Sequence, residues 1–154
     1  MWYMILLAAC IGGDQLLKWW VTSHLTVGQS APLLPGIVRL TRLHNTGAAW
    51  SSFSGKTGLL AVVTVVLMAA VVYLVVKRIV RHPLGLTAAM LVLGGGVGNL
   101  IDRVLNGVVV DYINVLFMRF AIFNFADICV CVGVGLLMLA VLLDSFKKDK
   151  TAEP

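Results

Sequence analysis

The stretch FNFADICVCVGVGLLMLAVLL (Phe123–Leu143) decides the reading of this chain. It is long and apolar enough to cross a bilayer, for which about 20 residues suffice, yet Asp127 stands near its start. An aspartate held at the centre of a membrane helix costs about 3 kcal/mol. Three further segments have the same character: 1–21, interrupted by Asp14 and Lys18; TGLLAVVTVVLMAAVVYLVV (57–76), the cleanest; and PLGLTAAMLVLGGGVGNLID (83–102), opened by a proline suited to a helix start. The expectation is an integral membrane, mainly α protein with spans at about 1–21, 57–76, 83–102 and 124–143.

Composition agrees. Of 154 residues, 60% are hydrophobic and 12% charged, half the charged share of about 25% usual for soluble domains. Most of the surface must face lipid, and 1–154 reads as a single domain. The net charge of +5 does not point to nucleic acid, because the charges are grouped. Lys77, Arg78 and Arg81 form one cluster between apolar runs, and Lys147, Lys148 and Lys150 form another. Short basic clusters beside spans mark cytoplasmic loops. Four spans then put both termini on the cytoplasmic side and segments 22–56 and 103–123 outside. The tail 147–154 reads as disordered.

The outer segments carry strand signals. IVRLTRLHN (37–45) partly alternates, and GVVVDYINV (107–115) and FMRFAIFN (117–124) read as short strands joined near 114–116. A small β-sheet or cradle on the outer face is expected. Gly94 and Gly98 have the small-xxx-small spacing that lets membrane helices approach closely; no GxxxxGK or strand-borne GxGxxG is present to cradle phosphate. The three cysteines, Cys10, Cys129 and Cys131, all lie in apolar runs and form no disulfide framework. Cys129 and Cys131 would point about 200° apart on a helix and cannot share a metal. LLAAC (Leu6–Cys10) mimics the segment before a lipid-modified cysteine, but no Lys or Arg precedes it, so a first span that is not removed is expected.

Topology places the polar residues in depth. Asp14, Asn45, Asn99, Asp102, Arg103, Asp111, Asn124 and Asp127 all fall at one level, near the outer membrane boundary. A metal site would need three or four convergent ligands, whereas His24, His44 and His82 are dispersed; His44 reads as a surface residue. Ser51, Ser52 and Ser54 near His44 fit a serine nucleophile only loosely. Paired carboxylates fit best. Two close aspartates cannot both ionise cheaply, so one keeps a proton while the other serves as base. Asp111 and Asp127 suit that task. Asp14 with Lys18, and Asp102 with Arg103, fit structural ion pairing equally well. The alternative is a small proton- or ion-coupled transporter, which would spread acidic residues through the membrane depth; span 57–76 carries none, and neither does span four between Asp127 and its cytoplasmic end.

At these residues the chain resembles the lipoprotein signal peptidase (signal peptidase II) family, bacterial aspartic proteases of the inner membrane. DQLLK (14–18) resembles D-Q-x-x-K, and HNTGAAWS (44–51) resembles the family's N-x-G-A-A-F-S with Trp50 where Phe is common. GGGVGNLIDR (94–103), VVVDYI (108–113) and FNFADICV (123–130) resemble G-G-x-x-G-N-x-x-D-R, V-V-D-F/Y-I and F-N-x-A-D. Five motifs in this order among four spans are highly specific. The resemblance implies that Asp111 and Asp127 are catalytic. It implies that Asn45, Gly47, Asn99, Asp102, Arg103, Asn124 and Ala126 line or brace the site, with Asp14 and Lys18 supporting it from span one. It implies a substrate, the prolipoprotein whose cysteine already carries diacylglycerol, cut on that cysteine's N-terminal side. It further implies work as a monomer among membrane lipid, without metal, cofactor or nucleic acid, and sensitivity to the cyclic peptide globomycin. The brief N-terminus is a departure that leaves the catalytic residues untouched.

Overall fold

The computed structural model describes residues 1–48 and 52–152, the last nine of these by backbone alone. Four helices are long and apolar enough to cross a membrane: α1 (Trp2–His24), α2 (Thr57–Val76), α3 (Pro83–Asn106) and α4 (Phe125–Ala152, apolar to Leu143). A single antiparallel sheet of order β1-β2-β3 is made by β1 (Ser30–Leu34), β2 (Val38–Asn45) and β3 (Val109–Val115).

The central helix is α3, which packs against α1, α2 and α4. Its small residues make this possible. Gly94 and Gly98 receive α1: a Cβ at Gly94 would stand 2.5 Å from Cys10 Cβ, and one at Gly98 would stand 2.5 Å from Asp14 Oδ2. The four-residue spacing of the glycines matches that of Cys10 and Asp14, so the stripe read in the sequence is the α1 groove. Gly95 faces the other way, against the backbone of Ala126 on α4. By contrast α2 buries no residue. Its apolar side chains, such as Val62, Val66 and Leu67, are exposed, as suits a helix whose solvent is lipid.

Helix ends follow local chemistry. Pro83 opens α3, where the His82 ring accepts the Leu84 N–H at 3.2 Å. Gly107, left-handed at φ +71, closes α3 by donating its N–H to Arg103 O. The helix therefore passes Asp102 by one turn, and α1 likewise runs three residues beyond Val21. The C-terminus of α1 is tied to the sheet by Arg42, whose Nη1 donates to Thr22 O (3.1 Å) and Leu25 O (2.8 Å).

Two expectations need correcting. Residues 117–124 are not a strand: only Phe123 forms a bridge, to Ile113. The chain returns from Val115 to the start of α4 and, among the described residues, bridges β3 at Phe123. The third strand is instead SAPLL (30–34), whose Pro32 is tolerated on a sheet edge. Residues 147–152 are helical rather than a disordered tail. Extending an existing helix needs no new nucleus, and Lys and Ala are good helix formers. Residues 153–154 lie outside the described residues.

Candidate active site

The site is built around the first turn of α4. A helix leaves its first four N–H groups without intrahelical partners, and here each finds one. Asn124 is the N-cap: its Oδ1 accepts the Asp127 N–H (3.0 Å), while Asp127 Oδ2 accepts the Asn124 N–H (3.1 Å). This reciprocal arrangement is a capping box, with Asp127 in the third helical position. The Phe125 N–H goes to Tyr112 Oη at 3.3 Å, and the Ala126 N–H to Asp14 Oδ1 at 3.0 Å. Asp127 is therefore fixed by the local sequence N-F-A-D, and two neighbouring elements finish the cap.

Asn124 also joins the two aspartates. Its Nδ2 donates to Asp111 Oδ1 (2.7 Å), to Asn99 Oδ1 (3.1 Å) and, more weakly, to Val110 O (3.4 Å). Asp111 is 2% exposed and takes a second donor, Asn45 Nδ2 at 2.8 Å. A one-residue bulge in β2 shapes this pairing, since two residues lie between Leu40 and Leu43 where β3 has only Tyr112. Asn45 Oδ1 accepts the Gly47 N–H at 2.8 Å, so the turn after β2 is held to the same group. Burial pushes the Asp111 carboxyl up from its ordinary value to about 7, with the Asp127 charge adding to the rise and the Asn45 and Asn124 donors opposing it.

Behind this layer stands Lys18, 3% exposed. Its ammonium contacts Asp14 Oδ2 (2.8 Å) and Asp102 Oδ2 (3.0 Å) and donates to Asn99 Oδ1 (2.9 Å). A buried cation must be paired, and three acceptors use its three N–H bonds. Asp102 thus pairs with Lys18, and its Oδ2 accepts the Val110 N–H at 3.0 Å, which anchors β3. Asn99 turns its other end to the site and donates from Nδ2 to Asp127 Oδ1 at 2.8 Å.

Two cavities meet at these groups. One of about 550 Å³ is lined by Asn45, Asn99, Arg103, Asp111 and Asp127 on its polar side and by side chains such as Phe120 and Ile128 on the other. A second, of about 230 Å³, runs toward Leu67 and Met68 of α2 and shares Asn99, Arg103 and Asp127. Arg103 holds Gly47 O only loosely, at 3.4 Å, and its buried Nε has no hydrogen-bond partner among the described residues.

The residues singled out from the sequence are placed together. Asp111, Asp127, Asn45, Asn99 and Arg103 line the cavity, while Asp14, Lys18, Asp102, Asn124, Gly47 and Ala126 hold them from behind. His44 stays at the surface against Arg42 Nη2 (3.3 Å). Ser52 and Ser54 are exposed, and Ser51 and Trp50 lie outside the described residues. Among the described residues, no three His, Cys, Asp or Glu side chains are grouped as a metal would require. Two contributors were missed. Gln15 Nε2 reaches Asp14 Oδ2, Gly98 O and Asp102 Oδ1 at 3.1–3.3 Å, and Tyr112 completes the α4 cap. Gln15 stood in the DQLLK motif, which was its only signal.

Comparison with known proteins gives the family. The family model described as signal peptidase (SPase) II matches residues 6–143. The lipoprotein signal peptidase of Halalkalibacterium halodurans is 39% identical, over 97% of this chain and 99% of that protein. That of Bacillus subtilis is 40% identical, over 97% and 98%. A solved bacterial membrane enzyme superposes with a TM-score of 0.89 at 33% identity, covering 95% of this chain and 90% of that one. The chain belongs to the signal peptidase II family of membrane proteases.

Proposed function

We propose that this protease removes the signal peptide from diacylglyceryl-modified prolipoproteins, cutting N-terminal to the lipidated cysteine with Asp111 and Asp127 as its catalytic pair. The observation that carries this reading is the shared cavity: both carboxyls line it, and one residue, Asn124, hydrogen-bonds both. A water between them gives a proton to the ionised carboxylate as its oxygen adds to the scissile carbonyl carbon. The protonated carboxyl donates to the carbonyl oxygen, which stabilises the charge that develops there. The proton taken from water then passes to the leaving nitrogen, the C–N bond breaks and the lipidated cysteine becomes the new N-terminus. Arg103, whose buried Nε has no partner among the described residues, suits a carbonyl of the bound peptide.

The substrate class follows from the surroundings of the pair. Apolar walls on both cavities suit acyl chains and an apolar signal helix, which can stay in lipid while the peptide bond reaches the carboxyls. The orientation follows from charge. The basic cluster after α2 (Lys77, Arg78, Arg81) and the lysines after Leu143 argue for both termini in the cytoplasm of a bacterium. The site then sits near the periplasmic face of the inner membrane. Exposed Trp19 and Trp20, close to that level on α1, suit the interface. The protein would act as a monomer.

The test is cleavage by purified protein in detergent of a diacylglyceryl-modified precursor and of the same precursor without lipid. Cleavage of the lipidated form alone is expected, with the cysteine as the new N-terminus. Equal cleavage of both would remove the lipid from the reading.

A further inference from the structure

We infer that Lys18, acting through the Asn99 carboxamide, holds the catalytic negative charge on Asp127 and leaves the pair's proton on Asp111. The inference rests on the catalytic pair proposed above and adds an assignment within it.

The hydrogen bonds have a direction. Lys18 Nζ donates to Asn99 Oδ1 at 2.9 Å, and Asn99 Nδ2 donates to Asp127 Oδ1 at 2.8 Å. The carboxamide cannot be turned over, because its NH2 would then face the Lys18 ammonium and the Asn124 NH2. An ammonium on the carbonyl oxygen withdraws electron density from the amide, and linked hydrogen bonds polarise one another in this way. Asn99 is thus a stronger donor to Asp127 than a free carboxamide. Asp127 also accepts a backbone N–H at the N-terminus of α4, where the helix dipole favours negative charge.

Asp111 has no hydrogen-bonded relay of this kind, and the Lys18 charge acts on it only as the weakest of the influences on its carboxyl. It stands on a strand, fully enclosed, and its two donors at 2.7 and 2.8 Å are neutral carboxamides. One of them, Asn124, spends its carbonyl on the Asp127 N–H rather than on a cation. Burial acts on Asp111 in the same direction, since its carboxyl keeps a proton to about 7.

The other charged groups do not reverse the asymmetry. From α3, Arg103 lines the cavity that both carboxyls share, and its Nη2 is turned to Gly47 O. Asp102, also on α3, and Asp14 on α1 are both paired with Lys18. Tyr112 on β3 is a neutral phenol that accepts the Phe125 N–H. Cys131, one turn along α4, also lines the cavity. Lys18 and Asn99 are therefore positioning residues. Lys18 acts only through Asn99, and Asn99 through the Asp127 carboxylate it holds; together they decide which carboxyl takes the proton from water.

The test is the pH dependence of kcat/KM on a synthetic diacylglyceryl lipopeptide, for the wild type and the double variant Asp14→Asn/Lys18→Gln. The double variant keeps an acceptor for Ala126 and a donor for Asn99. It removes one charge of each sign, so the net charge of the cluster is unchanged. Loss of the Asp14 negative charge would by itself move the acid limb down, so an upward shift must come from Lys18. The acid limb is expected to move up by about one pH unit, with measurable turnover at the optimum. An unmoved acid limb in a variant that melts like the wild type overturns the relay. If the double variant does not fold, infrared spectra of the single variants decide. Below neutral pH the C=O stretch of a protonated carboxyl should vanish in Asp111→Asn and persist in Asp127→Asn; the reverse pattern overturns the assignment. Failure of the pair itself reads differently, because Asp111→Asn and Asp127→Asn would then both still cleave.

Discussion

Asn124 does two jobs that substitution can separate. In Asn124→Ala the N-cap acceptor for Asp127 is lost, which typically costs about 1 kcal/mol. The donor to Asp111 Oδ1, at 2.7 Å the shortest bond to that carboxyl, is lost as well. A hydrogen bond to a carboxyl contributes about 1.5–3 kcal/mol when the group is charged and about 1 kcal/mol when it is neutral. The total is about 2–4 kcal/mol, readable as a lower melting temperature in detergent. With Asp111 held by Asn45 alone, the pair loses its common anchor, and kcat/KM should fall at least about 100-fold, the cost of an ångström of misplacement. Asn124→Ser separates the effects. A serine caps α4 as well as asparagine does, but its hydroxyl cannot also reach Asp111 and Asn99. Stability should recover by about 1 kcal/mol while cleavage stays low. Wild-type cleavage by the serine variant would refute the claim that the Asn124 amide positions the pair.

Gly98→Ala puts a Cβ 2.5 Å from Asp14 Oδ2, so α1 must shift, and a loss of about 1–3 kcal/mol is expected; a wild-type melting temperature would show that Asp14 is not seated against Gly98. Asp111 titrates near 7 in the folded protein against an ordinary 3.8, so between about pH 4 and 7 the folded state binds more protons than the unfolded state. Stability should therefore fall as pH rises through that window, and the slope should flatten in Asp111→Asn; identical slopes would show that Asp111 is not the group responsible. For the same reason activity should decline as pH rises through about 7, on the upper limb of a bell-shaped profile that belongs to the coupled pair. Chelators and serine- or thiol-directed reagents should leave the rate unchanged, and globomycin should compete with substrate; loss of activity in EDTA with recovery in zinc would count against the carboxylate pair.

What the sequence made legible was whatever short-range pattern encodes. The four spans are apolar runs of the right length, and the Gly94–Gly98 spacing marks the groove that α1 occupies. Asp127 could be placed at a helix start because the apolar run begins beside it; the capping box of the N-F-A-D segment shows only in the structure. Contacts made across the chain were not legible. Asp102 has Arg103 beside it in sequence, but its partner is Lys18, delivered by a different helix. Gln15 looks like an ordinary polar residue until α3 brings Gly98 and Asp102 to it. Strand composition alone misleads in both places. FMRFAIFN has the composition of a strand, yet it meets the outer edge of β3 only through the bridge at Phe123, whereas SAPLL contains a proline and still pairs with β2 because it lies on the outside.

The central claim is that Asp111 and Asp127 act as one unit, and a double-substitution cycle on the diacylglyceryl lipopeptide tests it most directly. Asp111→Asn and Asp127→Asn should each abolish measurable cleavage while the protein still inserts and melts cooperatively, because the reaction needs one ionised and one protonated carboxyl. The variant carrying both changes should be little worse than either alone, as expected for residues that work together. Full turnover by either single variant, or losses that simply multiply in the double variant, would contradict the account.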